Sequence, residues 1–199
     1  MSDTAAQKKS LRTRLSAVTY AIGPQQKLQA AELITARLLS LDCLSSTHCI
    51  ASYASTAREL PTSALNEALI RAGHRLALPR IESLKEGRMS FYQVGDLNDL
   101  IVNSLGIAEP AQRPERLIRP GDLTLVLLPL RGFDRSGHRL GMGGGFYDRL
   151  LTALNPNCLK IGLAFSQQEV PSLPCEAHDQ CLDAVLTPEE TIIFNRTVL

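Results

Sequence analysis

A three-layer α/β fold, with a largely parallel sheet flanked by helices, is the class this sequence predicts. Three observations carry that expectation. Apolar residues recur at helical spacing in some segments and with strand-like patterning in others, and the two kinds alternate along the chain. Residues 123–128, Leu-Thr-Leu-Val-Leu-Leu, form a continuous apolar run bounded by Gly-Asp and Pro, as a central strand covered on both faces requires. The 199 residues, 44% apolar and 21% charged, are enough to bury one substantial core. A single domain over residues 1–199 is therefore expected.

The elements follow in order. From residue 5 to about residue 41, leucine, isoleucine and valine recur at three- and four-residue intervals, and Gly23-Pro24 interrupts them. Two helices are expected, with Pro24 opening the second, where a missing N–H costs nothing. Residues 49–53 read as a strand, residues 62–72 as a helix ended by Gly73, and residues 75–79 and 88–92 as two further strands. Residues 96–121, rich in Pro, Asn and Gly, are expected to be largely loop. Beyond the buried strand come a glycine-rich stretch, a helix over residues 146–154 and a strand over residues 160–164. A polar loop and two short strands near residues 184–186 and 191–194 complete the chain.

Charge and cysteine usage narrow the function. With 21 basic and 20 acidic side chains there is no global field to draw nucleic acid or an anionic membrane. The start of the chain has no apolar stretch after Lys8-Lys9, and the longest apolar run, residues 123–130, is too short to span a bilayer. Five irregularly spaced cysteines suit reduced thiols rather than a disulfide scaffold. A cytoplasmic monomer without nucleic-acid or membrane partners is expected.

Chemistry is concentrated after the buried strand. Gly132, Gly137, Gly141, Gly143, Gly144 and Gly145 are six of thirteen glycines, gathered within fourteen residues. Glycine lets main-chain N–H groups approach a ligand, and the helix that follows offers unpaired donors, so the carboxyl end of a strand is a fitting place for phosphate. The stretch is neither a P-loop nor a dinucleotide fingerprint, and a turn that merely reverses the chain is the other reading. Arg139 and Asp148, which bracket the glycines, favour phosphate: one pairs with its oxygens and the other holds a magnesium ion. Cys175, His178 and Cys181 have zinc-like spacing without a fourth ligand, which favours an ordinary loop. His48, His74 and His138 have no partner in the sequence.

The segment Leu127-Leu-Pro-Leu-Arg-Gly-Phe-Asp-Arg-Ser-Gly-His-Arg-Leu-Gly-Met-Gly-Gly-Gly-Phe-Tyr-Asp-Arg149 resembles the signature of the 5-formyltetrahydrofolate cyclo-ligase family, also called methenyltetrahydrofolate synthetases. Lys8-Lys-Ser-Leu-Arg12, Glu59-Leu-Pro-Thr62, Leu78-Pro-Arg80, Ile161-Gly-Leu-Ala-Phe165, His178-Asp179 and Leu182-Asp-Ala-Val185 agree in order and approximate spacing. The resemblance implies an α/β three-layer fold and Mg-ATP-dependent conversion of 5-formyltetrahydrofolate to 5,10-methenyltetrahydrofolate, ADP and phosphate. Such chemistry rests on positioning and charge neutralisation, which suits the absence of a nucleophile triad.

Carried onto matching positions, the family's roles give Lys8, Lys9 and Arg12 to the ATP phosphates. Arg139, Leu140, Gly141, Met142, Gly143, Gly144, Gly145, Phe146 and Tyr147 would enclose the triphosphate, with Arg139 and Asp148 as the catalytic pair. Asp148 would hold Mg2+, with Asp179 the second candidate. Glu59 would accept N–H bonds from the pterin, and Tyr53, Leu60, Phe133 and Tyr147 would supply walls for the folate rings. Arg80 is either an anion contact or half of a structural ion pair. Met142 stands where a tyrosine or basic residue is common and Phe146 replaces a common tyrosine, changes that bear on nucleotide affinity. Two other readings remain: a folate- or nucleotide-binding paralogue with weak turnover, and a sugar-phosphate isomerase or acyl-CoA transferase on a related sheet.

Overall fold

The computed structural model describes residues 3–46, 48–176 and 179–195. It begins with two helices, α1 (Asp3–Ala21) and α2 (Pro24–Leu39), on either side of Gly23. Pro24 occupies the first turn of α2, and Gln26 Oε1 accepts the Gly23 N–H at 3.1 Å. Ala30, Ala31, Ile34 and Leu38 form the buried stripe of α2. Helix α1 differs: Leu15 and Thr19 are its only fully buried side chains among the described residues.

After α2 the chain alternates. Strand β1 (Cys49–Ala51), α3 (Ser63–Arg71), β2 (Arg75–Ser83) and β3 (Arg88–Val94) come first. The short strands β4 (Ile101–Val102), β5 (Ala108–Glu109) and β6 (Leu117–Ile118) follow, then β7 (Leu125–Pro129) and the two-residue strands β8 (Gly132–Phe133) and β9 (Arg139–Leu140). Helix α4 (Phe146–Thr152), β10 (Leu159–Leu163), β11 (Ala184–Leu186) and β12 (Thr191–Ile193) close the fold.

Eight strands form one sheet in the order β12-β11-β10-β7-β1-β2-β3-β6. The five from β11 to β2 are parallel; β12 pairs antiparallel with β11 at one edge, and at the other β3 pairs antiparallel with both β2 and the edge strand β6. Alternation along β7 explains the layers. Leu125 and Leu127 face a core built with α2 and α3, whereas Val126 and Leu128 face one that includes Leu150 and Leu151 of α4. All four are fully buried. No helix among the described residues is long and apolar enough to cross a membrane.

Two segments depart from expectation. Strand β2 runs past Pro79 to Ser83, because β1 pairs only as far as Ala77 and the missing proline N–H leaves no bond to β1 unmade. Residues 96–121, expected to be largely loop, contain β4, β5, β6 and three short 3-10 turns, and β6 joins the main sheet at Phe91 and Tyr92. Two-residue strands are too short for periodicity to register.

Candidate active site

From β1 the chain builds outward through β2 and β3, then returns to the other side of β1 with β7 and builds the opposite way through β10 and β11. Open parallel sheets bind ligands outside the carboxyl ends of their strands at such a reversal. Here Tyr53, Ala54, Thr56 and Glu59, which follow β1, and Pro129, which ends β7, line a cavity of about 300 Å³. Its walls are mostly apolar: Pro79, Ile81, Leu84 and Met89 from the β2–β3 hairpin, and Leu105 and Ile107 from the β4–β5 hairpin. The latter hairpin is stapled in place by buried Glu109, which pairs with Arg80 at 2.9 Å and accepts from Asn103 Nδ2 at 3.0 Å and the Ile81 N–H at 3.3 Å. Arg80 is thus half of a structural ion pair.

A second cavity, of about 220 Å³, lies on the other side of the glycine loop and is lined by charge: Lys8, Arg12, Arg139, Asp148, Glu176 and Asp179. Arg139, Gly141, Gly143, Gly145 and Asp148 line both cavities. The loop is therefore a shared wall between an apolar chamber and a polar one. Helix α1 reaches the polar chamber because Leu15 packs against Gly132, where an added Cβ would come within 2.5 Å of the leucine methyl. Four residues apart on that helix, Lys8 and Arg12 face the same cavity. Buried Asp134 pins the hairpin carrying Arg139, accepting from the Ser136 N–H at 2.9 Å, the His138 N–H at 3.2 Å and the Leu173 N–H at 2.9 Å.

Lys8 and Arg139 are paired with carboxylates of the polar cavity, and Arg12 with the glycine loop. Lys8 Nζ donates to Asp179 at 2.7 Å and Glu176 at 2.8 Å. Burial acts to lower the Lys8 pKa, but the two carboxylates outweigh it and the ammonium is held above its ordinary value. Arg139 donates to Asp148, and its buried Nε has no acceptor among the described residues. Arg12 Nε donates to the Gly141 carbonyl at 2.8 Å. In the apolar chamber, Thr56 donates to Glu59 Oε2 from its N–H at 2.8 Å and its hydroxyl at 2.9 Å. Glu59 Oε1 has no hydrogen bond among the described residues. Burial, reinforced by the Glu59 charge, raises the pKa of Tyr53 and of Tyr147 far above the ordinary phenol value, so both rings stay neutral beside that carboxylate.

Most of the residues singled out from sequence meet at these two cavities, including Met142 and Phe146 on the apolar side and Leu140 on the polar side. Three do not. Lys9 is exposed and lines neither cavity, since one residue along a helix turns the side chain by about 100°. Phe133 and Leu60 are buried in the core rather than lining a chamber. Cys175 and Cys181 are exposed, and the Cys175 thiol donates to the Leu173 carbonyl at 3.2 Å. His178 lies outside the described residues. The β2–β3 and β4–β5 hairpins and Glu109 were not legible as site elements, although the alternation of Pro79 and Ile81 along β2 was a usable sign.

Comparison with known proteins fits this geometry. The family model for 5-formyltetrahydrofolate cyclo-ligases matches residues 4–188. The chain belongs to that family. It is 34% identical over 171 residues to the 5-formyltetrahydrofolate cyclo-ligase of Escherichia coli, covering 85% of this chain and 94% of that one. It is 26% identical over 192 residues to the mouse protein of the same name, covering 90% and 92%. The solution structure of Aquifex aeolicus 5,10-methenyltetrahydrofolate synthetase superposes with a TM-score of 0.82 at 28% identity, over 94% of this chain and 92% of that one. Membership in the cyclo-ligase family also decides against the isomerase and transferase chemistries that a sheet of this kind leaves open.

Proposed function

We propose that residues 1–199 form one cytoplasmic, monomeric catalytic domain. It uses Mg-ATP to close 5-formyltetrahydrofolate to 5,10-methenyltetrahydrofolate, releasing ADP and phosphate. The observation that carries this reading is the glycine loop shared by an apolar and a charged cavity, since the reaction needs a flat aromatic substrate and a triphosphate to meet at one wall. Folate takes the apolar chamber, with Glu59 accepting pterin N–H bonds and Tyr53 and Tyr147 against the rings. The triphosphate takes the polar one, facing Lys8, Arg12 and Arg139.

The donor set suits magnesium. Asp148 and Asp179 offer hard carboxylate oxygens to the same cavity, and magnesium commonly uses one or two carboxylates with substrate phosphates and water. When bound, it supplies charge neutralisation to the phosphate oxygens. Each carboxylate is matched to a cation of the site, Asp179 to Lys8 and Asp148 to Arg139. Binding Mg-ATP would then exchange partners rather than bury new charge: Lys8 and Arg139 would turn to phosphate, and Asp179 and Asp148 would hold the metal.

The formyl oxygen attacks the γ-phosphorus and ADP leaves, with Arg139 balancing the charge on the transferring group. The neighbouring anilino nitrogen then attacks the activated formyl carbon. Phosphate departs with the former formyl oxygen, and the nitrogen loses its proton. Purified protein mixed with 5-formyltetrahydrofolate, ATP and magnesium is expected to generate methenyltetrahydrofolate absorbance with one ADP per product. Binding of both ligands without turnover would instead favour a folate-binding paralogue.

A further inference from the structure

We propose that Arg149 is a positioning residue that couples the two cavities, so that each substrate strengthens binding of the other. The proposal rests on the assignment of folate and ATP to those cavities. Arg149, in α4, donates from Nε to the Gly87 carbonyl at 3.0 Å and from Nη2 to the Gly144 carbonyl at 2.7 Å. Gly87 belongs to the turn of the β2–β3 hairpin, whose Leu84 and Met89 line the apolar cavity. Gly144 belongs to the glycine loop. One guanidinium thus ties the hairpin wall of the apolar cavity to the glycine loop that the two cavities share.

The packing is close enough to depend on the absence of side chains. A Cβ on Gly87 would lie 1.6 Å from Arg149 Nη2 and 2.7 Å from the Gly144 carbonyl oxygen, and one on Gly145 would lie 3.0 Å from both terminal nitrogens. Both glycines also have left-handed backbones, with φ of 58° and 68°. The loop they clasp has little else to fix it. Residues 141–144 make no backbone–backbone hydrogen bond among the described residues. Two arginines hold their carbonyls instead, Arg12 at Gly141 from the ATP side and Arg149 at Gly144 from the folate side.

The consequence is a shared ordering cost. Folate packed on Leu84 and Met89 immobilises the hairpin turn, Arg149 passes that restraint to Gly144, and the loop meets ATP already ordered. Linkage makes the effect reciprocal, so ATP tightens folate by the same factor.

The test is a pair of binding titrations of the whole protein. They use a non-hydrolysable ATP analogue with magnesium, with and without saturating 5-formyltetrahydrofolate, and the converse. Wild type is expected to show a coupling factor of about fivefold or more in both directions. Arg149→Met should bring that factor below about twofold while each ligand alone binds within about threefold of wild type, and Arg149→Lys should retain part of it. Gly87→Ala, which pushes the hairpin off the guanidinium from the other side, should remove the coupling too. The double variant should lose no more than either single one. Independent binding in wild type, or intact coupling in Arg149→Met and Gly87→Ala beside a lowered melting temperature, would overturn the proposal and leave the two-cavity reading standing. Failure of wild type to bind either ligand would overturn both.

Discussion

Replacing Glu59 with glutamine keeps the shape of the side chain and changes what it offers the substrate. Thr56 donates twice to Oε2, from its N–H at 2.8 Å and its hydroxyl at 2.9 Å, so the carbonyl oxygen of the new amide will take that position. The NH2 group then stands where Oε1 stood, and it is a donor. A pterin edge that presents N–H groups meets a donor in place of a charged acceptor. Losing one charge-assisted hydrogen bond costs about 1.5–3 kcal/mol, or roughly 10- to 150-fold, and the reversed polarity puts Glu59→Gln toward the upper end. Steady-state absorbance assays, with each substrate varied at saturating levels of the other, should show that rise in the folate KM and a change below about threefold in the ATP KM. A raised ATP KM with an unchanged folate KM would refute the assignment of the apolar chamber to folate.

Arg12→Ala should raise the ATP KM by about 10-fold or more, the worth of a charged contact to phosphate, and leave the melting temperature near wild type; an unchanged KM would make Arg12 only a strut for Gly141. If Asp148 holds the metal as proposed, Asp148→Asn removes charge neutralisation worth several kcal/mol, so kcat should fall by at least about 100-fold and recover in part as magnesium is raised. Arg139 is buried, but asparagine keeps an oxygen that can accept from it, so only a small drop in melting temperature is expected, and a large drop together with lost activity would instead mark a structural role. Stability should also fall as pH drops below the ordinary imidazole range. Burial, with His48 beside it, holds His74 below its usual pKa, and its Nδ1 accepts the His48 N–H at 3.2 Å only when unprotonated. The unfolded chain therefore binds the extra proton first, and the contribution present above the unfolded pKa is lost as pH falls through the folded one. Melting curves of His74→Asn, which keeps an acceptor but does not titrate, should be flatter over that range than those of wild type.

What was legible in the sequence is what local physics dictates. Pro24 opened α2, the run ending at Leu128 marked the central strand, and the four-residue spacing of Lys8 and Arg12 placed both on the face that meets the polar cavity. What was not legible depends on contacts distant in the chain. The ring of Phe133 carries no local sign that it points into the core, and Lys9 differs from Lys8 only by the rotation of one residue. The pairing of Arg139 with Asp148 and the bond from Arg149 to Gly87, 62 positions away, arise only once the hairpins have folded back on the glycine loop. Glu109 is the clearest case: a glutamate in a segment read as loop is the buried staple for one wall of the apolar chamber.

The fate of the formyl oxygen tests the central claim most directly. If ATP in the charged cavity phosphorylates the substrate in the apolar one, an oxygen isotope placed in the formyl group must leave on inorganic phosphate. Mass spectrometry of the phosphate released during turnover is expected to find one labelled oxygen per product formed. Label recovered in water, with unlabelled phosphate, would contradict the mechanism.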